Sequence, residues 1–465
     1  MALIDIIIVV LFFLIVLIIG FIERKKITLE DYWVNSRKTK TFFLVATVLS
    51  TFIGVGAILG TAGIAFNGGG LIALAIPLSF LFYLMLYAKF IAPKIKEFGD
   101  KHKAYTLPDF FAVRYSKRAG IAASFVNLIS YGLYLALQIL GMGIFVNALT
   151  GFSPNIATIA GALIVIAYTT VGGLRADIRT DVFQFIVMLV LLFIFLPIVI
   201  LKGGGFGALQ SLPSTFLLGT DFAPPYVIIL AFLFIGIATF TFADLWQRAY
   251  AGDSKKTVKK AAYISGILAF LFLIMAVLLG VYGHILLPNS TSNTVISDLM
   301  TLILPSGLYG LILAGFFAAV MSSADTVLLI TSMTLVHDIY KKGMNRVMSE
   351  EETLRLSRKV TFILGIMALI VALLIFNIVH LAIQAISFYV VLTPSIIFGF
   401  YWKRANTKAA IWSIIIGLIG VTAFLFIDPV QAFIPGIVLS FLTFIIIAFI
   451  TKNKNTLPPS QNSSF

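Results

Sequence analysis

The sequence predicts an all-α integral membrane protein with thirteen transmembrane helices. Of its 465 residues, 60% are hydrophobic and 11% are charged, and the mean hydropathy of +1.07 is too high for a water-soluble globular protein. The apolar residues form stretches of roughly 20 residues, the length that a helix needs to cross about 30 Å of hydrocarbon. Lys and Arg residues collect between alternate stretches, as in multi-pass membrane proteins.

The first span, 3–22, has no basic residue before it, so a membrane helix is expected there and not a cleaved signal peptide. The other twelve spans are predicted at 41–63, 71–91, 121–147, 155–171, 181–202, 226–249, 261–286, 307–335, 359–378, 380–401, 409–427 and 431–451. The polar tail 453–465 is predicted to be flexible. Residues 1–465 are therefore predicted to form one membrane domain without a separate soluble part.

The distribution of basic residues predicts the orientation of the chain. With these spans, 32 of the 33 Lys and Arg residues fall in the loops and tail on one side or within three residues of them, and Lys202 is the exception. Basic loops are usually cytoplasmic, so the N-terminus is expected outside and the C-terminus inside a plasma membrane. The basic residues behind the net charge of +14 are then expected to set the orientation of the chain in the membrane and to contact anionic lipid. Nucleic acid is not expected as a partner.

Several kinds of chemistry are disfavoured by what the sequence lacks. There is no Cys, which excludes disulfides and thiolate metal sites. There is no Gly-Lys pair, which a Walker A motif requires. None of the four His residues has a metal-ligand partner at helical spacing, so no zinc site is expected. A transporter that uses an ion gradient, or a passive channel, is favoured; a membrane enzyme or a sensor is the more distant alternative.

Polar residues near the predicted midplane of two spans indicate where an ion could bind. Span 2 contains Ser50 followed by Gly54 and Gly56, which favour an unwound turn with free carbonyl groups, and span 9 contains Ser322 and Ser323. Carbonyl and hydroxyl oxygens suit Na⁺, and no carboxylate is needed. In the alternative interpretation, the hydroxyls bond to their own helix and the small residues allow close packing.

Five separated stretches resemble the sodium:solute symporter family. They are Thr106–Tyr115, Gly172–Ala176 with Thr180–Gln184, Trp246–Arg248 with Ala251, Ala318–Asp325, and Asp338–Tyr340. The resemblance extends over nearly the whole chain.

The resemblance implies a core of two inverted five-helix repeats, spans 2–6 (41–202) and 7–11 (226–401), with broken helices in spans 2 and 7. Span 1 and the two C-terminal spans (409–451) lie outside that core. Na⁺, the transported coupling ion, is then held by carbonyls of Ser50, Ile53 and Ala319 and by hydroxyls of Ser322 and Ser323.

Charged residues near these spans receive separate predictions. The resemblance implies that Asp181 guides Na⁺ towards the cytoplasm; alternatively, it is an N-terminal helix acid that follows a Thr180 cap. Asp177 departs from the family pattern and receives no role. Asp325 is expected to pair with Arg358 or to add to the field along the ion path.

Two further features are expected to be structural. Thr106 and Asp109 fit a capping box at the start of a short helix on the cytoplasmic surface. The basic residues after span 7 are interpreted as membrane-interface anchors: Arg248, Lys255, Lys256, Lys259 and Lys260.

The solute is expected beside the broken helices. The candidate lining residues are Gly54, Gly56, Ala57, Gln138, Thr239, Thr241 and Asp244. The resemblance disfavours a sugar, because sugar-transporting members of the family tend to have polar side chains after the span 2 break, where this chain has Ala57, Ile58 and Leu59. An amino acid or a small carboxylate is favoured instead. Asp244 could meet an ammonium group or pair with Arg248 four residues later.

The predicted function is Na⁺-coupled symport of a small organic solute into the cell by alternating access, with one Na⁺ as the default. A proton-coupled symporter or a passive channel of the same fold are the alternatives. The sequence does not predict the solute, the stoichiometry, the oligomeric state, or whether H⁺ or Li⁺ can replace Na⁺.

Overall fold

The computed structural model describes residues 2–22, 28–169, 174–375, 377–429 and 431–451. Within these ranges the chain is helical, and one isolated bridge between Thr39 and Gly252 is the only β pairing. Ten helices there are long and apolar enough to cross a membrane, or up to twelve if each of two bent pairs is one span. The all-α membrane class is thus confirmed, whereas the count of thirteen spans stays a prediction.

The predicted spans correspond to helices or to runs of helical segments. In the first half these are Leu3–Ile22; Thr41–Phe52 with Gly56–Gly60, Thr61–Ile64 and Ala65–Gly69; Gly70–Leu86 with Tyr87–Ile91 and Ala92–His102; Lys117–Thr150; Pro154–Thr169; and Leu174–Val190 with Leu191–Phe195 and Leu196–Lys202. In the second half these are Tyr226–Phe234 with Gly236–Phe240 and Ala243–Ala251; Lys255–Leu286; Leu308–Met333 with Thr334–Gly343; Glu350–Leu374; Ile378–Tyr389 with Val390–Leu392 and Thr393–Tyr401; Thr407–Leu425; and Phe433–Ile450.

Short helices connect the spans: Leu29–Val34, Asn35–Arg37, Leu107–Arg114, Phe206–Ser211, Ser214–Leu218 and Val295–Ile303. The capping box predicted for one of them is confirmed, because the Thr106 hydroxyl accepts a hydrogen bond from the Asp109 N–H (3.2 Å) and the Asp109 carboxylate accepts one from the Thr106 N–H (3.3 Å). Gly172 and Gly173 of the second family stretch, and the tail 453–465, lie outside the described residues.

Several helices begin earlier than hydropathy predicts. The span 10 helix begins at Glu350, nine residues before the predicted start at 359, because Ser349 and Glu352 form a capping box. The span 4 helix begins at Lys117 after a Ser116 cap and ends at Gly151, which has a left-handed φ of 73°. A capped polar turn can project beyond the hydrocarbon, and hydropathy does not detect it.

Span 9 lies at the centre of the bundle and is the most buried of the candidate spans. It contacts spans 1, 2, 4, 6 and 10, while the outer spans expose apolar side chains to the surroundings, as lipid-facing helices do. Span 1 is tied to it by Asp5, whose Oδ1 accepts hydrogen bonds from the N–H groups of Gly307 (2.7 Å) and Gly310 (2.9 Å). This carboxylate satisfies donors at a helix N-terminus that would otherwise lie unpaired.

Candidate functional site

The predicted break in span 2 is present. Helix Thr41–Phe52 ends at Ile53 (φ −86°, ψ 57°), and the chain resumes as a helix from Gly56, bent by 55°. The N–H of Val55, inside the break, donates to Gln138 Oε1 of span 4 at 3.1 Å. A side-chain amide from a neighbouring helix thus replaces a lost helical partner, which is how unwound backbone is tolerated at membrane depth.

Two serine hydroxyls of span 9 face this break. Ser322 Oγ lies 2.7 Å from the carbonyl oxygen of Ser50 and 3.2 Å from that of Ala319. Ser323 Oγ lies 2.8 Å from the carbonyl oxygen of Thr51 and 3.1 Å from that of Ala319. All five residues are buried. The hydroxyls therefore bond to their own helix, as the alternative interpretation held, and also reach the end of the broken helix.

The hydroxyls of Ser322 and Ser323 and the carbonyl groups that they contact form a cluster of hard oxygen ligands, called the oxygen cluster below. A hydroxyl has two lone pairs besides its proton, so when the proton turns away a lone pair faces the space between the helices. Four of the five predicted sodium residues meet here: Ser50, Ala319, Ser322 and Ser323. Ile53 is buried at the end of the same helix, but the serine hydroxyls donate to other carbonyls.

Two carbonyl groups that the sequence interpretation did not assign also belong to this cluster. Ser322 Oγ is 2.8 Å from the carbonyl oxygen of Ala318, and Ser323 Oγ reaches that of Thr51. Both residues adjoin predicted ligands in the same two stretches. Carbonyl groups carry no signature in the residue type, so the sequence alone could not select them.

Gly54 allows the two helices to approach. A Cβ atom at this position would lie 2.9 Å from Ser323 Cβ and 2.7 Å from Gln138 Nε2, and closer still to the Ser323 hydroxyl. Real Cβ atoms essentially never make contacts this short, so no larger residue fits without moving the serine or the amide. The missing side chain at Gly54 therefore leaves the space that the Ser323 side chain occupies.

Next to the oxygen cluster lies a buried cluster of charges around Arg248. This guanidinium is 1% exposed, and its Nη2 contacts Asp177 Oδ2 at 2.9 Å and Asp181 Oδ2 at 3.6 Å. Nη2 also donates to the hydroxyls of Thr51 (3.0 Å) and Thr326 (2.6 Å). Thr51 thus joins the two clusters, since its carbonyl faces Ser323 and its hydroxyl faces Arg248.

Two carboxylates, Asp177 and Asp181, contact this guanidinium, and a third, Asp325, lies beside them. Ligand oxygens of Asp177, Asp181 and Asp325 lie within 4.8 Å of one another, and all three residues are buried. One oxygen of each has no hydrogen-bond partner among the described residues. Whenever more than one of the three acids is ionised, the cluster carries net negative charge beside the oxygen ligands.

This geometry corrects several predictions. Arg248 is buried in the charge cluster, so its interpretation as an interface anchor was wrong. Asp181 is not an N-terminal helix acid behind a Thr180 cap, because the helix begins at Leu174 and the Thr180 hydroxyl donates to the Asp177 carbonyl. Asp181 instead accepts a hydrogen bond from Thr47.

Two predicted ion pairs are also replaced. Asp325 lies with Asp177 and Asp181 and accepts from the Thr326 N–H (2.8 Å), whereas Arg358 is exposed. Asp244 does not use Arg248 as its partner; its carboxylate accepts a hydrogen bond from Tyr131. Spacing of four residues suggested the second pair, and tertiary packing selected other partners in both cases.

A cavity of about 120 Å³ lies beside both broken helices. Its lining is mostly apolar, and the polar groups among the lining residues are Thr51, Thr61, Tyr131, Tyr134, Asp244 and Tyr389. Pockets for small molecules typically combine such an apolar wall with a few placed polar groups.

The predicted solute residues divide into two sets. Gly56, Ala57 and Asp244 line the cavity. The other four do not: Gly54 and Gln138 belong to the break, the Thr241 hydroxyl donates to the Ala238 carbonyl (2.7 Å), and Thr239 is buried. The three lining tyrosines, Tyr131, Tyr134 and Tyr389, were missed, because aromatic residues in apolar spans do not stand out in a sequence.

Asp244 is held at the start of the second half of span 7. Helix Ala243–Ala251 follows a 42° bend, and the N–H of Asp244 donates to the Tyr131 hydroxyl at 2.9 Å, while that hydroxyl donates back to the carboxylate. The ring of Tyr131 packs edge-on against Tyr389 (centroids 4.9 Å apart), which packs in turn against Phe242 (5.6 Å). The carboxylate therefore has a fixed position in an aromatic wall.

A serine pair facing a broken helix, with a cavity beside it, is the arrangement that the family resemblance implied. The model of the sodium:solute symporter family matches residues 32–417. The chain belongs to this family. It is therefore a membrane transporter that couples a solute to sodium, not an enzyme, and Na⁺ is its coupling ion.

Several characterised transporters are similar over nearly the full chain. A sodium/pantothenate symporter of Haemophilus influenzae is 27% identical, covering 94% of this chain and 93% of the relative. A sodium/proline symporter of Escherichia coli is 25% identical (87% and 84%). The human high affinity choline transporter 1 is 27% identical (89% and 78%). The relatives thus carry different small solutes.

Solved structures show the same fold. A substrate-bound, outward-open Na⁺-coupled sialic acid symporter matches with a TM-score of 0.79 at 21% identity, covering 97% of this chain and 98% of that one. A nucleobase-cation-symport-1 family transporter matches with a TM-score of 0.61 at 14% identity, covering 89% and 93%.

Proposed function

We propose that this transporter carries a compact solute with a positively charged nitrogen, an amino acid above all, into the cell together with Na⁺. The observation that supports this most is Asp244, the one formally charged side chain among the described residues that line the cavity. An ammonium group would be attracted by this carboxylate and by the faces of Tyr131 and Tyr389. A solute with only a carboxylate would meet repulsion there.

The proposed Na⁺ ligands lie at the break in span 2. They are the carbonyls of Ser50, Ile53 and Ala319 and the hydroxyls of Ser322 and Ser323, to which the geometry adds the carbonyls of Thr51 and Ala318. Na⁺ accepts about five or six oxygens without requiring a carboxylate.

Coupling between ion and solute is proposed to pass through the broken helix itself. The carbonyl of Thr51 belongs to the oxygen cluster, while Thr51, Gly56 and Ala57 line the cavity. An ion that fixes the end of helix Thr41–Phe52 therefore also fixes one wall of the solute site. In alternating access, Na⁺ would complete that wall before one helix bundle rocks and exposes both ligands to the other side.

The negative cluster of Asp177, Asp181 and Asp325 is proposed as the route by which Na⁺ leaves. It lies on the side of the oxygen cluster towards the basic loops, since Asp325 follows Ser322 by three residues in a helix that runs that way. Those loops are proposed to be cytoplasmic, with the N-terminus outside and the C-terminus inside the plasma membrane. A charge that enters through 100 mV gains about 2.3 kcal/mol, enough for roughly 50-fold solute accumulation.

Uptake into liposomes tests this proposal. Purified protein is reconstituted with an inward Na⁺ gradient, and accumulation is measured for three labelled probes: proline, choline and a carboxylate without nitrogen, such as succinate. We expect Na⁺-dependent accumulation of a probe with a positively charged nitrogen and its loss in Asp244→Asn, which retains an acceptor for Tyr131. Accumulation of succinate alone, or uptake driven equally by a proton gradient, would contradict the proposal.

A further inference from the structure

A second group of metal-ligating side chains lies far from the sodium site, at the end of the bundle that carries the loop 92–120. It consists of Asp109, His337 and Asp338, whose ligand atoms lie within 4.8 Å of one another. All three residues are buried, with at most 6% of their surface exposed. Asp109 comes from the short helix Leu107–Arg114, and the other two come from the π-helical end of span 9, Thr334–Gly343.

His337 lies in this group without a hydrogen-bond partner. Neither ring nitrogen makes a hydrogen bond to any described residue, although the residue is only 4% exposed. Its Nε2 is 3.6 Å from Asp109 Oδ2, a distance too long for a hydrogen bond. A buried imidazole without partners costs about 1–3 kcal/mol, so an additional ligand is expected beside it.

The ring of His337 is fixed in this orientation by two aromatic neighbours. Trp33 packs edge-on against it with centroids 4.6 Å apart, and Tyr105 does the same at 5.6 Å. A π-helix is rare and is often found at functional sites. Here the π-helical end of span 9 brings two consecutive residues, His337 and Asp338, to the interior.

The two carboxylates can also accept a cation. Asp338 Oδ1 accepts a hydrogen bond from the Thr106 hydroxyl (2.8 Å), while its Oδ2 has no partner among the described residues. Lys342, half exposed, contacts Asp109 Oδ1 and is the cation that now balances the group.

We propose that Asp109, His337 and Asp338 form a binding site for a divalent transition metal, Zn²⁺ above all. One imidazole nitrogen and two carboxylates are a ligand set that suits Zn²⁺, whereas Mg²⁺ and Ca²⁺ prefer oxygen alone. No sequence pattern indicates this site, because its third ligand comes from another part of the chain. A bound metal would join the loop between spans 3 and 4 to the end of span 9.

Metal titration of the full-length protein in detergent tests the site. Zn²⁺ binding is measured by calorimetry in the presence of Na⁺, with excess Mg²⁺ as competitor, and Co²⁺ absorption reports the coordination. We expect the wild type to bind one Zn²⁺ per chain, and His337→Gln to bind it at least about tenfold more weakly. The matched control is His102→Gln, which changes an exposed histidine at the same end of the bundle and should leave the Zn²⁺ affinity unchanged. Asp338→Asn, which keeps an acceptor for Thr106, should weaken binding in the same way.

A third variant tests the competition by Lys342. Because this ammonium occupies Asp109 Oδ1, Lys342→Met should bind Zn²⁺ several-fold more tightly than the wild type. The proposal is overturned if the wild type binds no Zn²⁺, if folded His337→Gln or Asp338→Asn binds it as well as the wild type does, or if His102→Gln removes it.

Discussion

Replacing Gly54 by Ala should weaken Na⁺ binding through a displacement of one ligand. The new methyl group would lie 2.9 Å from Ser323 Cβ and 2.7 Å from Gln138 Nε2, so both side chains, or the backbone at position 54, must move. Overpacking of this kind costs about 1–3 kcal/mol. The Ser323 hydroxyl donates to the carbonyls of Thr51 (2.8 Å) and Ala319 (3.1 Å), so a displacement of this side chain disturbs the oxygen cluster.

If that strain is relieved in the ion-free protein and restored when Na⁺ binds, affinity falls by a factor of about 5–150. The assay is Na⁺ titration of purified protein, followed by the rise in the thermal unfolding midpoint, with K⁺ as the reference ion. Gly132→Ala in span 4 is the matched control, because a Cβ atom there meets no atom within 4 Å. It should leave Na⁺ affinity unchanged.

The reasoning is refuted if folded Gly54→Ala binds Na⁺ as tightly as the wild type does. It is equally refuted if Gly132→Ala lowers affinity as much, since the effect would then come from helix stiffening and not from the contact with Ser323.

Two further predictions concern buried polar groups. Arg248→Met should lower the free energy of unfolding by about 3–5 kcal/mol, because it leaves carboxylates buried without their cation. Lys255→Met, which removes an exposed cation, should change the free energy of unfolding by less than about 1 kcal/mol. Equal effects of the two substitutions in denaturation assays would contradict this prediction. Tyr131→Phe should lower the free energy of unfolding by about 1–3 kcal/mol and weaken solute binding, because Asp244 loses the hydroxyl that positions it. The control in binding assays is Tyr389→Phe, because the Tyr389 hydroxyl makes only a 3.5 Å contact. Equal losses of binding in the two variants would contradict the role assigned to Tyr131.

The sequence pointed to the proposed sodium site through local signals, and the family resemblance supplied the ligand set. Gly54 and Gly56 interrupt an apolar span, and Ser322 and Ser323 are adjacent hydroxyls in another. Such residues are costly in hydrocarbon, and their depth could be counted from the nearest charged loop. The break in span 2 was confirmed for the same reason.

The charge cluster could not be predicted in this way. Arg248 follows an apolar stretch by a few residues, which is the usual position of an interface anchor, and its carboxylate partners lie on span 6. Only the fold shows that the second half of span 7 turns inward by 42° and buries the guanidinium. The sequence signal that was available is the pair Asp177 and Asp181, which lie four residues apart on one helix. Two acids on one face of a membrane helix indicate that a buried cation lies beside them.

The solute cavity was predicted in part. Asp244 stood out as a charged residue beside a break, whereas Tyr131 and Tyr389 resemble ordinary aromatic residues of apolar spans. Their role depends on which helices pack together, and a single sequence carries no information on that.

The most direct test of the sodium site is Na⁺ binding to purified protein in which both serines are changed. Na⁺ affinity is measured in the wild type, in Ser322→Ala/Ser323→Ala, and in the matched control Ser265→Ala/Ser395→Ala, whose buried hydroxyls have no hydrogen-bond partner among the described residues. The site as described predicts Na⁺-specific binding that the first pair abolishes and the second retains. Wild-type Na⁺ affinity in the folded Ser322→Ala/Ser323→Ala protein would contradict it.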